Sequence, residues 1–194
     1  MLRFAIAVLL IAGTTLSASQ PSRDNAFPNT RPDGRATVEY KDGKVKAVAI
    51  YDYSQTNHDG AWLLTQIAVS LRERGEITPN NFSLVMPDGR VVPLATHEQF
   101  NENVDEILKL RQNAGPFERP IQIYFPESGY PENIRWFVIP AEAPLFEFAM
   151  VPAAHAAVVG TLYFKSPTRR WDAGTYRLIF DNEKGRAELP IRLK

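Results

Sequence analysis

Residues 37–53, TVEYKDGKVKAVAIYDY, decide the fold class because they read as two strands joined by a tight turn. Asp42-Gly43 is a strong signal for a two-residue turn, since both positions tolerate the positive φ that matches the twist of paired strands. Residues 81–94, NFSLVMPDGRVVPL, repeat the pattern with Pro87-Asp88-Gly89 at the turn. Pro93 has no N–H to donate to a central ladder, so we expect it on an edge strand.

The rest of the chain is divided into short segments by fifteen prolines and eleven glycines. Aromatic and β-branched residues fill these segments, which is typical of strands. The predicted strands lie near 119–125, 134–139, 144–151, 157–165, 173–181 and 186–193. Short strands with regular turn signals predict a mainly β fold, either a sandwich or a barrel.

The segment 62–72, WLLTQIAVSLR, fits two patterns. Leu63, Ile67 and Leu71 belong to an alternating apolar set that suits a strand. Leu64, Ile67 and Leu71 also belong to a stripe with helical spacing. The hairpin-like flanks favour the strand, and the helix remains the alternative.

A helix is predicted over 97–112, HEQFNENVDEILKLRQ. Phe100, Val104, Ile107 and Leu108 place apolar side chains on one helical face. Thr96 with Gln99 has the spacing of a capping box. An amphipathic helix of this kind should lie on a sheet face or close the end of a sandwich.

Two patches carry a resemblance to a known class of domain. The spacing of Asp172-Ala173-Gly174-Thr175-Tyr176 resembles a tyrosine corner, in which the hydroxyl bonds back to upstream main chain. The hairpin with Asn81-Phe82-x-Leu84, Asp88-Gly89-Arg90 and Pro93 is similar to one in small exported domains. Leu178 stands where antibody-type domains carry their second cysteine. The chain thus resembles the cysteine-free, bacterial, exported immunoglobulin-like domains of unknown function. The resemblance implies an immunoglobulin-like β-sandwich with one amphipathic helix and an additional C-terminal strand set.

The first residues predict export. Arg3, the apolar run 4–11 and Ser17-Ala18-Ser19 have the layout of a signal peptide with a cleavage site. The run is about half the ~20 apolar residues that a membrane-spanning helix needs. We therefore expect a signal peptide over 1–19, a periplasmic or extracellular protein, and no membrane span after cleavage. An uncleaved anchor is the alternative.

The remaining sequence suggests further divisions. Residues 20–35 are polar and proline-rich, and we expect a flexible leader. A β-sandwich domain is predicted over 36–140, with a C-terminal β subdomain over 141–194 packed on it. The boundary rests on Pro140-Ala-Glu-Ala-Pro144, and a single domain remains the alternative.

Composition excludes several classes of function. Lys plus Arg and Asp plus Glu both number 22 and are scattered, so we expect no nucleic-acid partner. The absence of cysteine excludes a thiol nucleophile, disulfides and a thiolate zinc site. The histidines, His58, His97 and His155, show no metal-ligand spacing, and no G-x-S-x-G occurs. We expect neither a cofactor nor a metal, and no enzyme.

The candidate binding surface is the segment 51–62, YDYSQTNHDGAW. Aromatic side chains beside planar hydrogen-bonding groups are typical of sugar or peptide recognition. The predicted binding residues are Tyr51, Tyr53, Asn57, His58, Asp59 and Trp62. The alternative is a loop whose aromatic residues face the core.

The predicted function is a non-catalytic binding or assembly module of the cell envelope, with a protein or glycan partner. A glycan-contacting accessory domain is the first alternative, and a hydrolase with dispersed catalytic residues is the second.

Overall fold

The computed structural model describes residues 27–129, 131–138, 148–151 and 154–194. The predicted signal peptide, 1–19, lies outside the described residues, as does the proposed boundary from Pro140 to Pro144.

The described part of the chain is mainly β, as the sequence predicts. It contains twelve strands: β1 Thr30–Pro32, β2 Thr37–Lys41, β3 Val45–Ile50, β4 Trp62–Leu71, β5 Gly75–Ile77, β6 Phe82–Val85, β7 Val91–Pro93, β8 Glu132–Asn133, β9 Ala149–Val151, β10 Ala157–Lys165, β11 Gly174–Asn182 and β12 Gly185–Leu193. The same residues contain two α-helices, α1 His97–Glu102 and α2 Val104–Ala114.

Two large sheets share one hydrophobic core. The six-stranded sheet has the order β1-β2-β3-β4-β10-β8, and the four-stranded sheet has the order β12-β11-β6-β7. Strands β5 and β9 form a separate pair. The core contains Ile67 and Leu162 from the first sheet with Leu84 and Leu178 from the second. Every described pairing is antiparallel except that of β10 with β8.

The C-terminal strands belong to these same two sheets. β10 pairs with β4 along its whole length, and β11 pairs with β6. The region 141–194, predicted as a subdomain packed on 36–140, therefore shares both sheets with it. The described strands of the C-terminal region are hydrogen-bonded into the sheets of the earlier region, and they do not form a separate unit packed on it.

Both predicted hairpins are present, and their turn residues explain them. Asp42 accepts hydrogen bonds at Oδ1 from the N–H groups of Lys44 and Val45, each at 2.7 Å. In the second hairpin Gly89 has φ +90°, which glycine adopts without strain. Pro93 lies on β7, at one edge of the four-stranded sheet, as predicted.

Strand β4 shows why its sequence fitted two patterns. Leu63 and Ile67 face the core between the sheets, whereas Trp62 and Leu64 lie beneath the helices. A strand covered on both faces is apolar at successive positions. Apolar and polar residues then no longer alternate strictly, so the same sequence also fits the spacing of an apolar helical stripe. The prediction of a strand is confirmed.

The predicted helix over 97–112 is present as two helices, with a break at Asn103. The Thr96 hydroxyl accepts from the Gln99 N–H at 3.1 Å, which is the predicted capping box. Phe100 and Ile107 are buried against the outer face of the six-stranded sheet. Leu108, predicted on the same stripe, is 42% exposed, because the break shifts the buried face.

Three predicted segments need correction. Residues 119–125, predicted as a strand, contain a 3-10 helix, Ile121–Tyr124, that begins after Pro120. Residues 134–138 are irregular, and only Glu132–Asn133 joins the sheet. In both segments the apolar residues reflect burial: Ile121 packs on the six-stranded sheet and Trp136 enters the core. Thr30–Pro32, placed in the flexible leader, pairs with β2 as strand β1.

Tyr176 makes the predicted corner bond. Its hydroxyl donates to the main-chain oxygen of Asp172 at 2.8 Å. The ring is fully buried and meets Trp171 edge-on, with ring centroids 5.7 Å apart. Burial raises the pKa of the Tyr176 hydroxyl above its ordinary value. Tyr176 therefore fixes the main chain just before β11 and has a structural role.

Candidate functional site

The aromatic residues predicted to bind a ligand lie mostly in the interior. Trp62 is 2% exposed and packs beneath the helices, and Tyr51 is 5% exposed. Tyr53 is half-buried and meets the Phe117 ring edge-on at 5.6 Å. The rings of Tyr51 and Trp62 are therefore core elements, and they offer no exposed face on which a ligand could stack.

The polar residues of this loop mainly hold the loop itself. The Ser54 hydroxyl donates to the Leu64 carbonyl at 2.7 Å and accepts from the Leu64 N–H at 3.1 Å. Asn57 donates to the main-chain oxygen of Tyr53 at 2.9 Å. Asp59 is exposed. These bonds connect the loop to the start of β4 and fix its path.

His58 joins the loop to the C-terminal strands. Its Nδ1 lies 2.7 Å from the Trp171 carbonyl oxygen, and its Nε2 lies 2.8 Å from the Lys194 carbonyl oxygen. Both partners are acceptors, and a neutral imidazole has only one N–H. The tautomer of the ring decides which of the two carbonyls receives the hydrogen bond. His58 thus acts as a clamp between segments.

A cationic groove lies beside this loop, running from the edge strands β1 and β12 to the β6–β7 turn and the start of β11. It consists of two cavities, of about 310 and 700 Å³, which share Phe27 and Arg192. We call it the arginine groove, after its four lining arginines: Arg31, Arg35, Arg177 and Arg192. None of the described residues that line it is Asp or Glu.

Arg35 is held in place by a neutral partner. Its Nε donates to the side-chain oxygen of Gln55 at 3.0 Å, and the Gln55 amide donates back to the Arg35 carbonyl at 2.8 Å. Gln55 is 1% exposed, so this exchange is anchored in the interior. The amide orients the guanidinium without neutralising it. Within the described residues, neither Arg35 nor Arg192 forms an ion pair with a carboxylate.

The other two arginines are paired with carboxylates that do not line the groove. Arg31 lies 2.8 Å from Glu39, and Arg177 lies 3.3 Å from Glu188. These pairs are exposed on the arginine side, so each contributes little to stability. All four arginines are exposed, and the two without an ion pair among the described residues, Arg35 and Arg192, carry the uncompensated charge.

The floor of the groove is apolar and connects to the predicted loop. Pro190 and Val38 line it and are buried. Tyr51 lines it as well, and burial raises the pKa of its hydroxyl, while a hydrogen bond to the Arg192 main chain opposes this. Of the six predicted binding residues, Tyr51 alone lines the groove.

The arrangement is suited to holding an anion. Guanidinium groups bind carboxylate or phosphate oxygens through two parallel hydrogen bonds. Among the described residues, no three His, Asp or Glu side chains come close enough to hold a metal ion.

Comparison with known proteins gives no relative: no family model, curated protein or solved structure matches the chain. None of the helices in the described residues is both long and apolar enough to cross a membrane.

Little in the sequence indicates this groove. Arg31 and Arg35 belong to the segment predicted as a flexible leader, and Arg192 lies near the other end of the chain. Pairing of β1 with β2, and the position of β12 against them, bring these residues together. A possible signal was the stretch Thr30–Arg35, TRPDGR, which places two arginines around a turn.

Proposed function

We propose that this protein is an exported, non-catalytic binding module of the cell envelope, and that the arginine groove is its ligand site. The observation that carries this proposal is the geometry of Arg35. A buried amide fixes its guanidinium at a groove in which none of the described lining residues is acidic. Because this guanidinium is already held in one orientation, it loses little conformational entropy when it binds an anion, which favours binding.

We propose an immunoglobulin-like sandwich as the scaffold, and the strand order supports this. The sheet β12-β11-β6-β7 corresponds to strands G-F-C-C′ of a variable-type domain, and β3-β4-β10-β8 corresponds to A-B-E-D. The corner bond of Tyr176 falls at the start of β11, the equivalent of strand F. Four features depart from this pattern: β1 and β2 extend the sheet beyond β3, β5 pairs with β9 outside both sheets, β8 runs parallel to β10, and both helices follow β7.

Export is proposed from the signal-peptide pattern of residues 1–19. In the envelope, a small β domain with a cationic groove at the sheet edges would hold a partner rather than transform it. Binding sites of this kind commonly lie on loops and edges positioned by a rigid sheet scaffold.

Retention of envelope components on the immobilised protein tests the proposal. The groove variant is Arg35→Gln with Arg192→Gln, and the control is Arg74→Gln, an exposed arginine that does not line the groove. We expect the parent and the control to retain a component, detected by protein and carbohydrate staining, that the groove variant loses.

Circular dichroism and the unfolding midpoint establish first that all three proteins are folded. A folded groove variant that retains everything the parent retains would refute the groove as the ligand site. Trp62 is unsuitable as a test position because it is a core residue, and its truncation to alanine would cost about 3–5 kcal/mol of stability.

A further inference from the structure

We infer that the ligand of the arginine groove is an acidic glycan, a chain of sugar units that carry carboxylate groups. This inference rests on the proposed function, since it names the ligand class of the same site. It follows from the charge of the groove, its division into two cavities, and its apolar floor.

Charge is the first step. The two cavities are lined by four arginines and none of their described lining residues is acidic, so the groove concentrates positive charge that an anionic ligand would neutralise. The bond from Arg35 Nε to Gln55 orients the planar guanidinium group. The other N–H donors of the guanidinium then point in fixed directions. A carboxylate matches that planar fork with two hydrogen bonds.

The division of the groove is the second step. Each cavity falls within or near the range of about 300–1,000 Å³ that is usual for small-ligand sites. They meet at Phe27 and Arg192, and each has its own outer arginine, Arg31 in one and Arg177 in the other. Two adjoining cavities with similar charge fit a ligand whose units repeat.

The floor is the third step. Phe27 lies at the junction, where its main-chain oxygen accepts from the Thr30 hydroxyl at 2.7 Å. Pro32 and Pro190 add further apolar surface. Sugar rings present C–H faces that pack on aromatic and proline surfaces, while their hydroxyls bond to neighbouring polar groups. The groove provides Thr30 and Thr175 hydroxyls for this purpose.

Single-stranded nucleic acid fits these observations less well. Proteins that bind it use several aromatic rings as stacking platforms along a basic track. In the described residues that line the groove, Phe27 is joined only by Tyr51, whose ring is buried. The whole chain also carries no net charge.

The test uses titration calorimetry of the mature chain with a galacturonic acid tetramer at low salt. Its methyl ester is the matched ligand, because it keeps the chain and rings but loses the charges. We expect the ester to bind at least about tenfold more weakly than the acid. Arg35→Gln and Arg192→Gln should each weaken binding of the acid about tenfold, while Arg74→Gln, with the same loss of charge outside the groove, should leave it within about twofold.

Three results would overturn the inference: no binding of the acid by the folded parent, equal binding of acid and ester, or equally tight binding of a single-stranded oligonucleotide. In each case the retention experiment still decides the proposed function separately. If retention depends on the groove but the acidic glycan does not bind, the protein is still a binding module, and its ligand belongs to another class. If the retention does not depend on the groove and the acidic glycan does not bind, the proposed binding module is refuted as well.

Discussion

Removal of the Tyr176 hydroxyl tests whether the corner bond stabilises the start of β11. Tyr176→Phe keeps the buried ring and its edge-on contact with Trp171 but deletes the 2.8 Å hydrogen bond to Asp172. A hydrogen bond of this kind contributes about 0.5–1.5 kcal/mol, and an acceptor left buried without a partner would raise the cost to about 3 kcal/mol. Asp172 is exposed, so water can reach its carbonyl. We therefore expect a loss of about 1 kcal/mol.

Thermal unfolding of the protein measures this change. At this chain length, about 1 kcal/mol corresponds to a fall in Tm of about 2–4 °C. The matched control is Tyr124→Phe, which deletes a 2.6 Å bond to the Asp33 carboxylate at the surface. We expect a change below about 0.5 kcal/mol there. An unchanged midpoint for Tyr176→Phe, or equal losses for the two variants, would refute the argument that the corner bond fastens β11.

Three further outcomes are expected. Ile107→Ala should lower the free energy of unfolding by about 2–5 kcal/mol because the side chain is fully buried. Glu102→Ala should change it little, because Glu102 is exposed on α1. Equal losses for the two variants in urea unfolding would contradict the assigned helix face. Gly160→Ala should destabilise strongly, because a Cβ at this position would lie 2.5 Å from the Ile134 Cβ, and an unchanged Tm would contradict that packing. Protein recovered from the extracytoplasmic fraction should lack about 19 N-terminal residues, and Edman sequencing that finds Met1 there would indicate an anchor.

The parts of the fold that local physics controls could be predicted from the sequence. The two hairpins, the Thr96 capping box and the Tyr176 corner each depend on residues within a few positions of one another. Their side chains satisfy neighbouring main-chain groups, so the pattern alone specifies the structure. The edge position of Pro93 follows equally from its missing N–H.

The segments that sequence reasoning misassigned depend on distant contacts. Residues 119–125 have strand-like composition because Ile121 and Phe125 pack on the outer face of the six-stranded sheet. Lys46 reinforces this packing, since its ammonium group lies 4.7 Å from the centre of the Phe125 ring. Burial selects apolar residues whether or not a backbone ladder forms, and flanking prolines favour the compact turn here.

The candidate site shows the same division between local and distant causes. Sequence reasoning chose residues 51–62 for their aromatic rings, which the structure places in the core, and it passed over the contribution of Gln55. That contribution depends on Arg35, twenty positions earlier, and on Lys194, which follows β12 and donates its N–H to the Gln55 carbonyl at 2.8 Å. The loop therefore contributes to the groove: the buried Gln55 side chain orients Arg35, and the Gln55 main-chain carbonyl binds Lys194 just after β12. Because this side-chain partner is an amide and not an acid, it leaves the charge of Arg35 uncompensated, as the proposed anion site requires.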